Sequence, residues 1–300
     1  MSQIEQSVVP LHATWRDYLT LTKPRVVALI MLTAVVGTLL STPGFPPLDA
    51  LILGNLGIAL AAASAAAVNH VLDSRIDAHM ARTRRRPLPT GHLTQRQALS
   101  FALALGMAAM ALLVAFVNVL TAVLTFCSLI VYAVVYTVWL KRATPQNIVI
   151  GGAAGAAPPV LGWVAVTNHV DAHALLLFMI IFAWTPPHFW ALAIARRHDY
   201  AKVRIPMLPV THGVELTRLH VLLYSVILCL VTLLPYMTGM SGLIYLAAAV
   251  VLNARFLWQA ALLKVTRRDD LPMRLFRYSI TYLMWLFLAL LVDHYLPTGR

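Results

Sequence analysis

Three oxygen-bearing side chains stand four positions apart at the end of a long apolar run: Asn69, Asp73 and Asp77. If the run continues as a helix, this spacing puts them on one face, one turn apart. Carboxylate and amide oxygens are ligands that magnesium prefers, and a metal with few protein ligands keeps positions open for phosphate oxygens. The stripe predicts a magnesium site with Asp73 and Asp77 as charged ligands and Asn69 in support.

A basic segment follows the acidic stripe. It contains Arg82, Arg84, Arg85 and Arg86. Guanidinium groups bind phosphate through paired hydrogen bonds, so the segment can neutralise a diphosphate beside the metal. A simpler interpretation is that the acids pair with these arginines on a solvated helix end. That interpretation accounts for the charges, but not for the regular spacing of the acids or for their start beside an apolar run.

The composition indicates which elements must position these residues. The chain has 300 residues, of which 60% are apolar and 11% are charged, whereas soluble domains average about 25% charged residues. The mean hydropathy is +0.78, and the apolar runs are long enough for helices that cross a hydrocarbon core of about 30 Å. We therefore expect an all-α polytopic membrane protein. The net charge of +12 does not indicate a nucleic-acid partner, because the basic residues lie between the apolar runs.

We expect nine spans; a count of eight or ten stays open, because the first run is short and only the region of Asn118 separates the third run from the fourth. The expected spans cover residues 26–41, 48–68, 98–116, 119–140, 148–166, 173–195, 216–236, 242–262 and 276–296.

The lysines and arginines predict how the spans are oriented, because they collect in cytoplasmic loops. With nine spans and the N-terminus inside, Arg300 is the one basic residue of 23 that falls outside. Long loops tend to carry function, and both long loops are inside, so we expect the chemistry at the cytoplasmic face. The predicted divisions are an inner segment 1–25, one membrane domain 26–296 with inner loops 69–97 and 196–214, and a periplasmic tail 297–300.

Two further segments carry polar residues at the inner side. Lys141 and Arg142 end the fourth span, where they either contact a diphosphate or only mark the topology. Asp199, Tyr200 and Lys202 follow the sixth span, at a place that corresponds to the acidic stripe four spans earlier. This correspondence indicates a weak internal repeat.

The sixth span also contains a polar side chain at membrane depth. His188 and Trp190 follow a pair of prolines in the middle of the span. An intramembrane histidine is a candidate functional residue. Two interpretations of His188 stay open: it contacts a substrate, or it forms a hydrogen bond to a neighbouring helix.

These motifs resemble those of the UbiA superfamily of intramembrane prenyltransferases. An N-x-x-x-D-x-x-x-D stretch at 69–77 follows the second of nine spans, as in that family. The motif D-x-x-M-x-R-T-x-x-R-P at 77–87, the D-Y pair at Asp199 and the I-P-x-L-P motif at 205–209 resemble its protohaem IX farnesyltransferase branch. Many family members carry a second acid four positions after the first in this later loop. This chain has Val203 there, which puts a second magnesium site in doubt.

The resemblance implies a nine-helix bundle in the bacterial inner membrane, with a lipid-accessible cavity roofed by the two inner loops. It implies transfer of farnesyl from farnesyl diphosphate, with addition of water, to a vinyl group of haem b, giving haem O. Magnesium is the implied cofactor, and haem A synthase or assembly factors of a terminal oxidase are the implied protein partners. The resemblance assigns the diphosphate to Arg82, Arg86, Lys141, Arg142 and Lys202, and it places His188 and Trp190 against the haem.

Two other functions remain as alternatives. One is a transferase of the same family that acts on a quinone precursor or on chlorophyll, which the R-T-x-x-R-P and P-P-H-F-W segments disfavour by resemblance. The other is a transporter whose arginines bind an anionic substrate at the mouth of the bundle. A transporter does not need acids spaced for magnesium, so Asn69, Asp73 and Asp77 favour an enzyme.

Overall fold

The computed structural model describes residues 13–80 and 83–296, and over these ranges the chain is helical, without strands. Eight helices are long and apolar enough to cross a membrane, and a pair bent by 52° supplies a ninth span. The predicted all-α membrane fold is therefore confirmed. The spans are α1 (Pro24–Leu40), α2 (Ala50–Asp77), α3 (Gln95–Phe116), α4 (Val119–Ala143), α5 (Asn147–Thr167), α6 (Ala172–Ala195), α7 (Val214–Met237), α8 (Leu243–Val265) and α9 (Leu271–Tyr295).

The first span is the bent pair, made of a short helix Trp15–Leu21 and α1. The break falls at Lys23, which has φ 50° and precedes Pro24 at the start of α1. With 17 residues, α1 is near the lower limit for crossing a bilayer. Residues 1–12 of the predicted inner segment lie outside the described residues, as does the predicted tail 297–300.

Two spans differ in extent from the sequence prediction. Helix α2 continues to Asp77, past the apolar run, so the first part of the predicted loop 69–97 is helical. Helix α9 begins at Leu271 rather than at 276, because a proline in its first turn is compatible with a helix start. The predicted loop 196–214 contains two short helices, Arg197–Lys202 and Leu208–Thr211.

The second half of α4 is a π-helix, from Val131 to Leu140. Its wider turn is visible in Thr137, whose hydroxyl donates to the carbonyl of Tyr132, five residues back, at 2.9 Å. A π-helix rotates the side chains that follow it relative to an α-helix, and such segments are frequent at functional sites. Here the π-helix packs against α2 and ends at Lys141.

Close approach between α1 and α5 depends on glycine. A Cβ atom at Gly37 would collide with the backbone of Pro159, and one at Gly162 would collide with the carbonyl of Ala34. Small residues allow this contact between helices in lipid, where packing rather than the hydrophobic effect holds spans together. The contact holds α1 against the second half of α5, which in turn packs against α6, whose side chains are mostly buried.

Because consecutive spans alternate in direction, α2, α4, α6 and α8 all finish at the same end of the bundle. We call it the Asp77 end. At the opposite end α1 and α9 finish together, since His294 Nε2 lies 3.0 Å from the carbonyl oxygen of Thr42. The carboxylate of Asp293 also lies there, and it accepts hydrogen bonds from the amides of Gly242, Ile244 and Tyr245. These bonds satisfy the first amides of α8.

Candidate active site

The predicted acidic stripe lies on the last turns of α2, at the Asp77 end. Asn69, Asp73 and Asp77 are each at most 5% exposed. Asn69 Nδ2 donates to Asp73 Oδ2 at 2.9 Å, so these two side chains share one face as the spacing predicts. The carboxylates therefore lie inside the bundle rather than on a solvated helix end.

Each carboxylate pairs with one cation. Lys141 Nζ, at the end of the π-helix, donates to Asp73 Oδ2 at 2.6 Å. Arg86 Nη1, in the loop after α2, donates to Asp77 Oδ2 at 2.6 Å. A buried carboxylate without a counter-charge is strongly destabilising, so these two cations stabilise the stripe. Two of the predicted diphosphate-binding residues thus lie at the stripe.

Lys23 is a third cation of this site, and the sequence analysis used it only as a marker of orientation. Its ammonium group donates to Asn69 Oδ1 and interacts electrostatically with both carboxylates. Its left-handed backbone is uncommon outside glycine and marks a constrained position. The sequence contained one signal that could have identified Lys23: it directly precedes Pro24, the proline at which α1 begins.

Two threonines position the stripe and its loop. Thr137 Oγ1 accepts from Asn69 Nδ2 at 3.3 Å, which connects the π-helix to α2. Thr83 is 1% exposed, and its hydroxyl donates to the backbone carbonyl of Asp77 at 3.0 Å. The second bond fastens the start of the basic segment to the end of α2. The sequence singled out Thr83 only as part of the R-T-x-x-R-P motif, and it gave no signal for Thr137, since hydroxyl groups are frequent in membrane spans.

A buried histidine beside the stripe has unsatisfied hydrogen-bonding groups. His70 is 2% exposed, and neither of its ring nitrogens has a partner among the described residues. Lys23 and Arg86 act on it electrostatically, so it lies near both cations. A bound anion would give its N–H group an acceptor.

The other predicted cations are not at the stripe. Arg82 lies outside the described residues. Arg142 and Lys202 are exposed, and in the part of the chain that the structure describes neither forms a salt bridge. Their assignment to the diphosphate remains a prediction.

The second loop approaches the site through a tyrosine. Asp199 pairs weakly with Arg196, at 3.9 Å, whereas Tyr200 packs against the main core. Tyr136, on the π-helix, interacts electrostatically with both Tyr200 and Asp73. The segment after α6 and the acidic stripe of α2 therefore both lie near Tyr136.

The ring of His188 is held between two aromatic side chains. Trp184 stacks on it with centroids 4.1 Å apart, and Phe276 with centroids 4.6 Å apart. Ser279 Oγ lies 2.6 Å from His188 Nδ1 and donates to the carbonyl of Phe276. The hydroxyl hydrogen of Ser279 is therefore already in the bond to Phe276, so Ser279 Oγ accepts from the Nδ1–H group of His188. The other ring nitrogen, Nε2, then carries no hydrogen and keeps its lone pair.

Trp190 faces a different part of the bundle. It is fully buried, and its ring contacts His220 and Tyr224 on α7. These contacts make it part of the core between α6 and α7. Its predicted contact with a haem is not tested by this placement.

The donor set fits a divalent metal with an anionic ligand. Within the described residues no group of three His, Cys, Asp or Glu could hold a metal, and the stripe offers two carboxylates and one amide as oxygen donors. Lys141 and Arg86 balance the charges of the two carboxylates. The ammonium group of Lys23 adds a positive charge when it is protonated, and the cluster then favours an anion.

Comparison with known proteins identifies the family. The sequence model of the UbiA prenyltransferase family matches residues 30–291. A protoheme IX farnesyltransferase of Methylococcus capsulatus is 62% identical over 283 residues, which cover 94% of this chain and 95% of the relative. A protoheme IX farnesyltransferase of Alkalilimnicola ehrlichii is 63% identical over 283 residues, covering 94% of each chain.

Solved structures share the fold at low sequence identity. A structure of digeranylgeranylglyceryl phosphate synthase has a TM-score of 0.78 and 18% identity, and covers 93% of this chain and 98% of its own. A UbiA homologue from Archaeoglobus fulgidus bound to GPP and Mg²⁺ has a TM-score of 0.63 and 18% identity, with 91% and 99% covered. The family match extends over most of the chain, and so this protein belongs to the UbiA prenyltransferase family.

Proposed function

We propose that this enzyme is a protohaem IX farnesyltransferase, or haem O synthase. It transfers farnesyl from farnesyl diphosphate to a vinyl group of haem b and adds water, which gives haem O and diphosphate. The relatives that carry this name are about 60% identical to the chain over nearly its full length. The observation that carries the chemistry is the pairing of two buried carboxylates with Lys141 and Arg86 at the end of an apolar bundle.

We propose that Asp73 and Asp77 hold one Mg²⁺, with Asn69 in support. The metal, when bound, supplies Lewis-acid stabilisation of the departing diphosphate. A fixed array of donors stabilises the leaving group most where its negative charge develops. Arg86 and Lys141 already point their N–H groups at the carboxylates, and they turn these donors to the diphosphate oxygens. Lys23 adds a third positive charge.

The carbon chemistry requires no side-chain nucleophile. When the bond between C1 of farnesyl and the diphosphate oxygen breaks, the electron pair leaves with the diphosphate and an allylic cation remains. The π electrons of a haem vinyl group form the new C–C bond, and water captures the resulting cation beside the porphyrin. A proton is then released. The buried cluster keeps bulk water away from the first cation, which water would otherwise quench.

We propose that His188 contacts the haem acceptor. Its Nε2 lone pair is suited to bind the haem iron or to accept a hydrogen bond, and the aromatic stack on both ring faces orients it. The remaining cations of the prediction, Arg82, Arg142 and Lys202, would serve the diphosphate from the two loops.

We propose that the protein lies in the bacterial inner membrane with the Asp77 end at the cytoplasmic face, because the basic residues collect at that end. Haem O is apolar and bound to the membrane, so we expect a haem A synthase or an oxidase assembly factor to receive it. Labelling of a cysteine introduced at Ser74 in intact cells tests the orientation. Reaction with an impermeant reagent from outside would contradict it.

The acceptor is tested with a mixture of substrates. Purified protein in nanodiscs receives farnesyl diphosphate and Mg²⁺ together with haem b, 4-hydroxybenzoate and chlorophyllide, and the products are measured by mass spectrometry. We expect one product, heavier than haem b by a farnesyl group plus water. Prenylated hydroxybenzoate or chlorophyllide without a haem product would move the protein to another branch of the family. Turnover of none of them, with farnesyl diphosphate intact, would favour the transporter.

A further inference from the structure

A groove of 620 Å³ runs along α8 and α9 on the side of the bundle that faces lipid. Arg255 and Gln259 line it from α8, and Arg277 lines it from α9. Two tryptophans on its walls, Trp258 and Trp285, are 63% and 50% exposed. The end of α8 and the start of α9 meet at the Asp77 end, but none of the active-site residues lines this groove.

One of the groove's arginines is already neutralised. Arg274 Nε lies 2.8 Å from Asp270 Oδ2, and Arg268 donates to the same carboxylate at 3.0 Å. The hydrogen bond from Arg268 lowers the pKa of Asp270 below its usual range. Asp270 therefore stays ionised at neutral pH and remains the partner of Arg274.

The other two arginines lack an acidic partner. Within residues 13–80 and 83–296, no carboxylate forms a salt bridge with Arg255 or Arg277. Arg255 lies ten residues before the end of α8, or about 15 Å along the helix axis. Its guanidinium stacks on the ring of Tyr278 at 4.7 Å. A cation at this depth is costly in lipid unless an anion accompanies it.

Gln259 adds a requirement for a hydrogen-bond donor. Its Oε1 atom is buried and has no partner among the described residues. A buried acceptor without a donor is destabilising. The groove therefore suits a ligand that brings both an anion for the arginines and a hydroxyl for this amide.

Lipid chemistry satisfies these requirements together. Among the described residues that line the groove none is Asp or Glu. These residues therefore offer no carboxylate for the metal that usually accompanies a diphosphate, and a singly charged phosphodiester fits better. Haem carboxylates would pair with the arginines, but at neutral pH they bring no donor for Gln259. Trp258 lies seven residues before the end of α8, a position typical of the membrane interface, and Trp285 lies deeper along α9, beside the acyl chains. Basic pockets between spans are typical sites for acidic headgroups.

We propose that the groove between α8 and α9 binds one acidic glycerophospholipid with a hydroxyl-bearing headgroup. Its phosphodiester lies between Arg255 and Arg277, its headgroup hydroxyl donates to Gln259 Oε1, and its acyl chains run along Trp285. This site does not depend on which prenyl acceptor the enzyme uses.

Native mass spectrometry of delipidated protein titrated with dioleoylphosphatidylglycerol tests the site. The wild type is expected to retain one lipid, and dioleoylphosphatidylcholine is not expected to compete. The double variant Arg255→Gln/Arg277→Gln is expected to bind phosphatidylglycerol about 30-fold more weakly, since an arginine near a membrane anion contributes about 1 kcal/mol. Arg277→Gln alone should weaken binding about fivefold.

The matched control is Arg267→Gln, which removes the same charge from the loop beside the groove, where the side chain is 83% exposed. It should leave lipid affinity within about twofold of the wild type. Equal losses in Arg267→Gln and Arg277→Gln would show a nonspecific charge effect and overturn the site. Equal retention of phosphatidylcholine and phosphatidylglycerol would also overturn it.

The headgroup contact has its own test. Dioleoylphosphatidylmethanol has the same phosphodiester charge but lacks the hydroxyl, so the wild type should prefer phosphatidylglycerol and Gln259→Leu should lose that preference. An unchanged preference in Gln259→Leu would contradict the contact. Haem b is added in a last arm. Displacement of phosphatidylglycerol by equimolar haem b, with loss of haem binding in Arg255→Gln/Arg277→Gln, would make the groove a haem site instead.

Discussion

Lys141 Nζ lies 2.6 Å from Asp73 Oδ2, although the two residues are 68 positions apart in the chain. The bond joins the end of the π-helix in α4 to the acidic stripe of α2. Arg86 makes the equivalent bond to Asp77 from the loop that follows the stripe. Asp73 and Asp77, the proposed charged metal ligands, are therefore each paired with one cation. A bound diphosphate would have to share that cation with the carboxylate.

This arrangement predicts that Mg²⁺ and the diphosphate bind as a unit. Mg²⁺ alone competes with Lys141 and Arg86 for the carboxylates, whereas a diphosphate draws both cations away. Titration calorimetry with an unreactive farnesyl thiodiphosphate measures the coupling. We expect its affinity to rise about 100-fold when Mg²⁺ is present, equivalent to about 2.7 kcal/mol. Equal affinities with Mg²⁺ and with EDTA would contradict the shared-cation arrangement.

Replacing Lys141 should change the response of the protein to metal. Lys141→Met leaves the carboxylate of Asp73 buried without its cation. Mg²⁺ can then neutralise this carboxylate in place of the lysine. We expect a lower melting temperature without metal, a larger rise on addition of Mg²⁺ than in the wild type, and a loss of kcat/KM of about 10²-fold. Arg142→Met is the matched control for the metal response alone, because Arg142 is the adjacent exposed cation and forms no salt bridge to a described carboxylate. The same metal response in both variants would show that the Lys141 contact is unimportant.

Thr137 is expected to be a positioning residue for Asn69. Thr137→Val removes the hydroxyl that accepts from Asn69 and donates to Tyr132. The lost bond should cost about 1 kcal/mol of stability, and misplacement of the stripe should lower kcat about tenfold or more. Thr137→Ser keeps the hydroxyl and should restore kcat. If both variants lose stability and neither loses kcat, the role is structural only.

His188→Phe separates the stacking role of this residue from its nitrogen chemistry. Phenylalanine preserves the stack with Trp184 and Phe276, but it has no Nε2 and cannot donate to Ser279. We expect an affinity for haem b lower by about tenfold, equivalent to about 1.4 kcal/mol. The affinity for farnesyl thiodiphosphate with Mg²⁺ should not change. A Soret titration measures the haem affinity, and an unchanged value would leave His188 with a packing role.

The membrane spans and the acidic stripe were predictable because each depends on local periodicity. Apolar run length is sufficient to find a span, and helical spacing is sufficient to align Asn69 with Asp73. The bond between Arg86 and Asp77 is local in the sequence, since nine positions separate the two residues. The sequence nevertheless suggested such a pair only on a solvated helix end, because burial of Asp77 depends on the tertiary packing.

Lys23 and Thr137 could not be predicted in the same way. Lys23 reaches Asn69 because the backbone bends in front of α1, and no periodic pattern signals that bend. Thr137 faces Asn69 because α4 changes to a π-helix, which breaks the 3.6-residue repeat used to assign faces. For Trp190, the sequence places the residue near His188 but does not decide which neighbouring helix the ring meets.

The central claim is that Asp73 and Asp77 hold the metal that accompanies the diphosphate. Asp73→Asn and Asp77→Asn each remove a negative charge while keeping the size of the side chain. Each is expected to lower turnover by about 10²–10³-fold at every Mg²⁺ concentration, because the departing diphosphate loses electrostatic stabilisation. The bundle should stay folded, because asparagine still accepts hydrogen bonds from Lys141 or Arg86.

The deciding measurement is a Mg²⁺ titration of haem O formation for the wild type and both variants, with the melting temperature of each protein in detergent as the control for folding. The account predicts folded variants whose turnover stays at least about 10²-fold below that of the wild type at saturating Mg²⁺. Near-normal turnover in both variants at saturating Mg²⁺ would contradict the metal and diphosphate assignment.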